Sequence, residues 1–181
     1  MALSYANIPI EEREVDLKNK PIELIALSPK ATVPVLVLGD GTIIDQSLDI
    51  IKWALGQSDP DKWLSKELEK ESSELIYSND YQFKPILDSY KYYQRAEIQD
   101  PIYYQQQAGK YLSLLNNLLI KHQYLLADRI TIADIAIFPF IRQFYMVDEK
   151  WFINSEFTYL VDWLKFFLDS ALFLRVMVKK S

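Results

Sequence analysis

The chain has 181 residues, half of them apolar, with four glycines and eight prolines, so it can bury a real core and is neither disordered nor of low complexity. A net charge of −5, with no basic run apart from Lys179-Lys180, argues against nucleic acid or an anionic membrane as partner. The absence of cysteine excludes disulfides, zinc-thiolate sites and a cysteine nucleophile within this sequence.

Residues 1–7 suit one or two helical turns, ended by Pro9. Residues 11–17 predict a short strand, because Val15 and Leu17 alternate with charged neighbours. Residues 21–27 predict a short helix that opens on Pro21, where a missing N–H costs nothing. Residues 32–38 and 42–45 predict an antiparallel hairpin around Gly39-Asp40-Gly41. Pro34 sits inside the first of these strands, where it cannot donate to the ladder; such a proline is often a cis one. Gln46-Ser47 then opens a helix over 47–55, with Leu48, Ile51, Ala54 and Leu55 on one face. Residues 56–60, Gly-Gln-Ser-Asp-Pro, read as a linker between domains 1–56 and 57–181.

Beyond the linker no strand pattern recurs. Residues 63–95 predict a helix that Pro85 kinks or interrupts, and 102–122 predict the clearest helix of the chain. Residues 132–145 are apolar nearly all round, the mark of a helix buried on every side. A stripe of Leu160, Trp163, Leu164 and Phe167 predicts a helix over 157–168, with a shorter one ending the chain. Nothing near Met1 reads as a signal peptide, and the longest apolar stretch, 130–141, contains Asp134 and is too short to span a bilayer. A cytoplasmic location without membrane partners is the expectation.

Two blocks carry specific information. The first is the hairpin with Val33-Pro34 and the Gln46-Ser47 that follows it. The second is Tyr124 to Ala136, in which Thr131 and Asp134 fit a capping box flanked by Ile130 and Ile135 as a hydrophobic staple. The box is a structural device: it starts a buried helix whose end water cannot reach. Taken together, in this order and about eighty-five residues apart, the two blocks resemble those of cytosolic glutathione S-transferases.

That resemblance implies an α+β two-domain glutathione transferase fold: an incomplete thioredoxin-like N-terminal domain followed by an all-helical C-terminal domain. It implies that Val33 offers its backbone to the cysteinyl part of glutathione, with Pro34 cis, and that Gln46 and Ser47 hold the γ-glutamyl group. Glutathione enters as a substrate and no metal is expected. Free N–H groups and the helix dipole at Ser47 suit a carboxylate. The family often has Glu before that Ser, so Gln46 lacks the charge that would face the ligand's ammonium; Thr32 stands where many members carry Lys or Gln, and Lys30 is the substitute at hand. Candidate second-substrate residues for a small electrophile are Tyr77, Tyr81 and Lys84, with Asp80, Tyr103 and Tyr104 nearby. His122, the sole histidine, reads as a helix-end contact.

The family's first strand and the loop carrying its thiolate-stabilising Tyr, Ser or Cys would precede Met1. The sequence therefore assigns no catalytic residue, and the expectation is a truncated, inactive or impaired member. Losing the burial of such a strand forfeits roughly 6–12 kcal/mol. A homodimer through the first long helices and the thioredoxin-like domain is also implied. The alternative is a non-catalytic interaction module similar to stringent-starvation-type proteins.

Overall fold

A computed structural model of the chain describes residues 1–96 and 100–178; Lys179 and Lys180 of the basic tail lie outside the described residues. The chain forms two compact units, Met1–Pro60 and Asp61–Ser181.

The first unit contains α1 (Ala2–Tyr5), α2 (Ile22–Leu27), β1 (Leu36–Val37), β2 (Ile43–Ile44) and α3 (Ser47–Gln57). Small side chains let α1 lie close on α3: Ala2, Ala6 and Ala54 are buried together, with Leu3, Ile8, Ile51 and Trp53 packed around them. The hairpin is antiparallel, pairing Leu36 with Ile44 and Val37 with Ile43. Its turn closes through Gly41 N–H to the Leu38 carbonyl at 2.9 Å, with Gly41 at φ 87°, a conformation that favours glycine. The Asp40 carboxylate accepts from Thr42 N–H at 2.9 Å, which holds its carboxyl below the ordinary value. Each strand is two residues long, shorter than the sequence pattern suggests, because Pro34 has no N–H to extend the ladder.

The strand expected over 11–17 does not form. That segment is irregular, and every side chain in it but Val15 is exposed. Two apolar residues among Glu11, Glu12, Arg13, Glu14 and Asp16 bury too little to fix an extended segment, and among the described residues the sheet holds β1 and β2 alone.

The second unit is helical. A 3₁₀ turn (Lys66–Leu68) leads into α4 (Glu69–Ser78), a π turn (Asn79–Phe83) and α5 (Lys84–Ala96); α6 (Pro101–Lys121), α7 (Ile132–Tyr145), α8 (Glu149–Ile153), α9 (Thr158–Leu168) and α10 (Ala171–Met177) follow. The expected break near Pro85 takes the form of the π turn. Proline at 85 cannot donate to the carbonyl four residues back, Tyr81, and the widened turn lies where that bond would fall. The helix also starts later than expected: Trp63 is buried but irregular.

The core is aromatic. Phe83 stacks on Tyr111 with ring centroids 4.9 Å apart, and Phe144 closes on Tyr90 at 4.8 Å. Phe138 and Trp163 both pack against Phe167, each 5.1 Å away. The α7 helix is buried at eight positions, Asp134 included, as its all-round apolar pattern requires. No helix among the described residues is long and apolar enough to cross a membrane.

Candidate functional site

The first candidate site is the end of the hairpin where α3 begins. The Val33–Pro34 peptide bond is cis. Continued past the ladder, the β1–β2 register directs Val33 and Pro34 toward the end where Gln46 and Ser47 open α3. Val33, Pro34, Gln46 and Ser47 are all exposed. Gln46 is the N-cap residue, yet its side chain does not cap the helix. The first intrahelical bond is Ile50 N–H to the Gln46 carbonyl at 3.0 Å, so the N–H groups of Ser47, Leu48 and Asp49 have no partner within the helix. Such a helix end favours an anionic group.

The Gln46 amide instead turns to its neighbour, Nε2 donating to Asp45 Oδ1 at 3.4 Å. The other Asp45 oxygen accepts from the hydroxyl of buried Ser28 at 3.2 Å and lies 4.0 Å from Lys30 Nζ. Asp45 thereby ties the start of α3 to the segment leading into Val33. Sequence reasoning passed over Asp45 and Ser28; alternation along β2, which sets Asp45 and Ile43 on the opposite face from Ile44, was the available signal.

The second candidate surface spans the π turn. Tyr77 and Tyr81 have rings 4.4 Å apart and are 60% and 68% exposed. Lys84 Nζ lies 3.7 Å from Asp80 Oδ1 and 4.8 Å from the centroid of the Phe140 ring. The structure thus joins Tyr77 to Tyr81, and Asp80 to Lys84. Tyr103 and Tyr104 pack edge-on to each other at the start of α6, with Tyr104 against buried Tyr90. Beneath the π turn Asn79 is 1% exposed; its Nδ2 donates to Asp80 Oδ1 at 3.2 Å, while its Oδ1 has no partner. Burial and the charge of Asp80 raise the Tyr111 phenol above its ordinary value.

The capping box is present at α7. The Asp134 carboxylate accepts four hydrogen bonds: Thr131 N–H and hydroxyl at 2.8 and 2.7 Å on Oδ2, and Leu125 N–H and Trp163 Nε1–H, both at 2.9 Å, on Oδ1. It is wholly buried, and burial raises its carboxyl above the ordinary value against the downward pull of those bonds. Its partners are all structural. His122 ends α6, its N–H bonded to the Leu118 carbonyl. A groove of about 910 Å³ runs along the exposed side of α6, past Ile102, Gly109, Lys110 and Leu114 to Trp151 and Phe157, and includes none of the candidate residues on α4 and α5. Among the described residues no three His, Asp or Glu side chains cluster as metal ligands.

The sequence model of the glutathione S-transferase N-terminal domain matches residues 1–55, and that of the C-terminal domain matches residues 85–166. The chain belongs to the glutathione S-transferase superfamily. Among solved structures it is similar to a glutathione transferase from Phanerochaete chrysosporium in complex with oxidized glutathione, at 17% identity and TM-score 0.83, over 97% of this chain and 86% of that one. An epsilon-class glutathione S-transferase from the housefly, Musca domestica, is 24% identical with TM-score 0.78, over 96% and 83%. A glutathione S-transferase from Pseudomonas fluorescens is 21% identical with TM-score 0.75, over 94% and 88%. At these identities the likeness shows the glutathione S-transferase fold. Comparison with curated proteins returns no match.

Proposed function

We propose that the chain is a glutathione transferase-like protein that binds glutathione at the hairpin end and start of α3. The carrying observation is that cis Val33–Pro34 and the uncapped N-terminus of α3 fall at one end of the same hairpin. The Val33 backbone pairs with the cysteinyl part of the ligand. The free N–H groups of the first turn, with the Ser47 hydroxyl, take the γ-glutamyl carboxylate, where the helix dipole favours negative charge. The solved Phanerochaete relative, in complex with oxidized glutathione, supports this ligand.

Tyr77, Tyr81 and Lys84 are the candidate surface for a small electrophile: an exposed aromatic pair and, separately, a Lys84 ammonium paired with Asp80. The family activity is glutathione conjugation or glutathione-dependent reduction. It requires a group that stabilises the glutathione thiolate, since the thiolate is the nucleophile. Among the described residues we assign none to that task. It acts in the cytoplasm, as a homodimer, without nucleic acid or metal.

The exposure of Ile22 and Ile25 on α2 favours a second reading, a non-catalytic module of the same fold that binds another protein. Calorimetric titration with glutathione separates the two. Binding that Ser47→Ala weakens roughly fivefold to tenfold supports the first reading; no heat of binding, with partner capture retained, supports the second.

A further inference from the structure

The γ-glutamyl end of glutathione carries an α-carboxylate and an α-ammonium on one carbon. A helix N-terminus suits the carboxylate and repels the ammonium. A ligand seated at α3 therefore needs an acceptor of negative charge beside the first turn, and Gln46 is neutral. Asp45 stands immediately before the N-cap, with Oδ1 touching the Gln46 amide at 3.4 Å and Oδ2 held by the Ser28 hydroxyl at 3.2 Å. Its side chain is 30% exposed, so it is fixed on one side and open on the other. The nearby cation, Lys30, is 4.0 Å away and 62% exposed, a loose pair that solvent screens. Oδ1 has accepted one long bond and keeps acceptor capacity.

We propose that Asp45 supplies the charge that recognises the ligand's α-ammonium, so that Asp45 and the first turn of α3 together read the zwitterionic γ-glutamyl end. The proposal rests on the glutathione reading above and adds a residue to it. Ser28 is then a positioning residue, holding the carboxylate toward the helix start. Lys30 competes with the ligand's ammonium for the same carboxylate.

The test compares two ligands by calorimetry on the full chain: glutathione, and glutaryl-cysteinylglycine, which keeps every group of glutathione except the α-ammonium. The wild-type chain is expected to favour glutathione roughly fivefold to tenfold. Asp45→Asn is expected to bring the ratio near one while affinity for the glutaryl ligand holds. Lys30→Met, a change at an exposed side chain, is expected to raise the ratio by removing the competitor. A preference that persists in Asp45→Asn, equal wild-type affinities, a parallel loss of both ligands, or a ratio lowered by Lys30→Met would each overturn the assignment. Binding of neither ligand by the wild-type chain would overturn the glutathione reading itself, a distinct result from equal binding of both.

Discussion

Replacing Asp134 by Ala removes the acceptor for four hydrogen bonds from a site with no access to water. The Thr131 hydroxyl can turn elsewhere, but Leu125 N–H, Thr131 N–H and Trp163 Nε1–H stay buried. Leaving each donor unmatched costs about 1–3 kcal/mol, or about 3–9 kcal/mol for three. Removing a buried carboxylate returns several kcal/mol of desolvation, so the expected net loss is about 3–5 kcal/mol. For a chain of this length each kcal/mol moves Tm by about 2–4 °C, which gives a drop of roughly 6–20 °C. Asp134→Asn keeps an oxygen for Leu125 and Trp163 but sets an amide donor against Thr131 N–H, and roughly half the loss is expected. Thermal melts followed by circular dichroism and tryptophan fluorescence measure both variants. The pH dependence adds a second test. Burial raises the folded-state value of Asp134 above its ordinary 3.8, so the folded state holds this proton more tightly. The stability it contributes is full below about pH 3.8 and is lost as pH rises through the folded-state value. The wild-type advantage over Asp134→Asn should therefore shrink as pH rises above the ordinary carboxyl value. A drop of less than about 3 °C in the alanine variant, or an advantage that grows with pH, would refute this reasoning.

Two further substitutions test other parts of the fold. Gly109 lies inside α6, and a Cβ there meets nothing within 4 Å; Gly109→Ala should stabilise by about 0.8–1 kcal/mol and raise Tm by about 2–4 °C, and a fall in the melt would contradict it. Asn79 buries an acceptor with no partner, so Asn79→Leu should leave Tm unchanged or raise it by a few degrees; a marked fall would show that Oδ1 has a donor in solution.

The second unit was largely legible in the sequence because its signals are local. The Thr131–Asp134 box needs four consecutive residues, and the helices of α6, α7 and α9 show their periods within single segments. The hairpin was legible for the same reason, its Gly-Asp-Gly turn setting the register. The strand expected at 11–17 was not, since pairing depends on what lies beside it, and alternation of two apolar residues says nothing of that. The π turn was readable only as a disturbance near Pro85, because a missing N–H does not by itself say whether a helix kinks, breaks or widens. Asp45 reaches back across the β1–β2 hairpin to Ser28 and Lys30; alternation along β2 gives the face of Asp45 but does not name these partners. Short helix α8 was missed because five residues, Glu149–Ile153, are too few to show a period.

Calorimetric titration of the full chain with glutathione tests the central claim most directly. The account predicts saturable one-site binding that Ser47→Ala weakens roughly fivefold to tenfold, by loss of about one hydrogen bond at the start of α3. No binding at millimolar glutathione, or binding that Ser47→Ala leaves untouched, would contradict it.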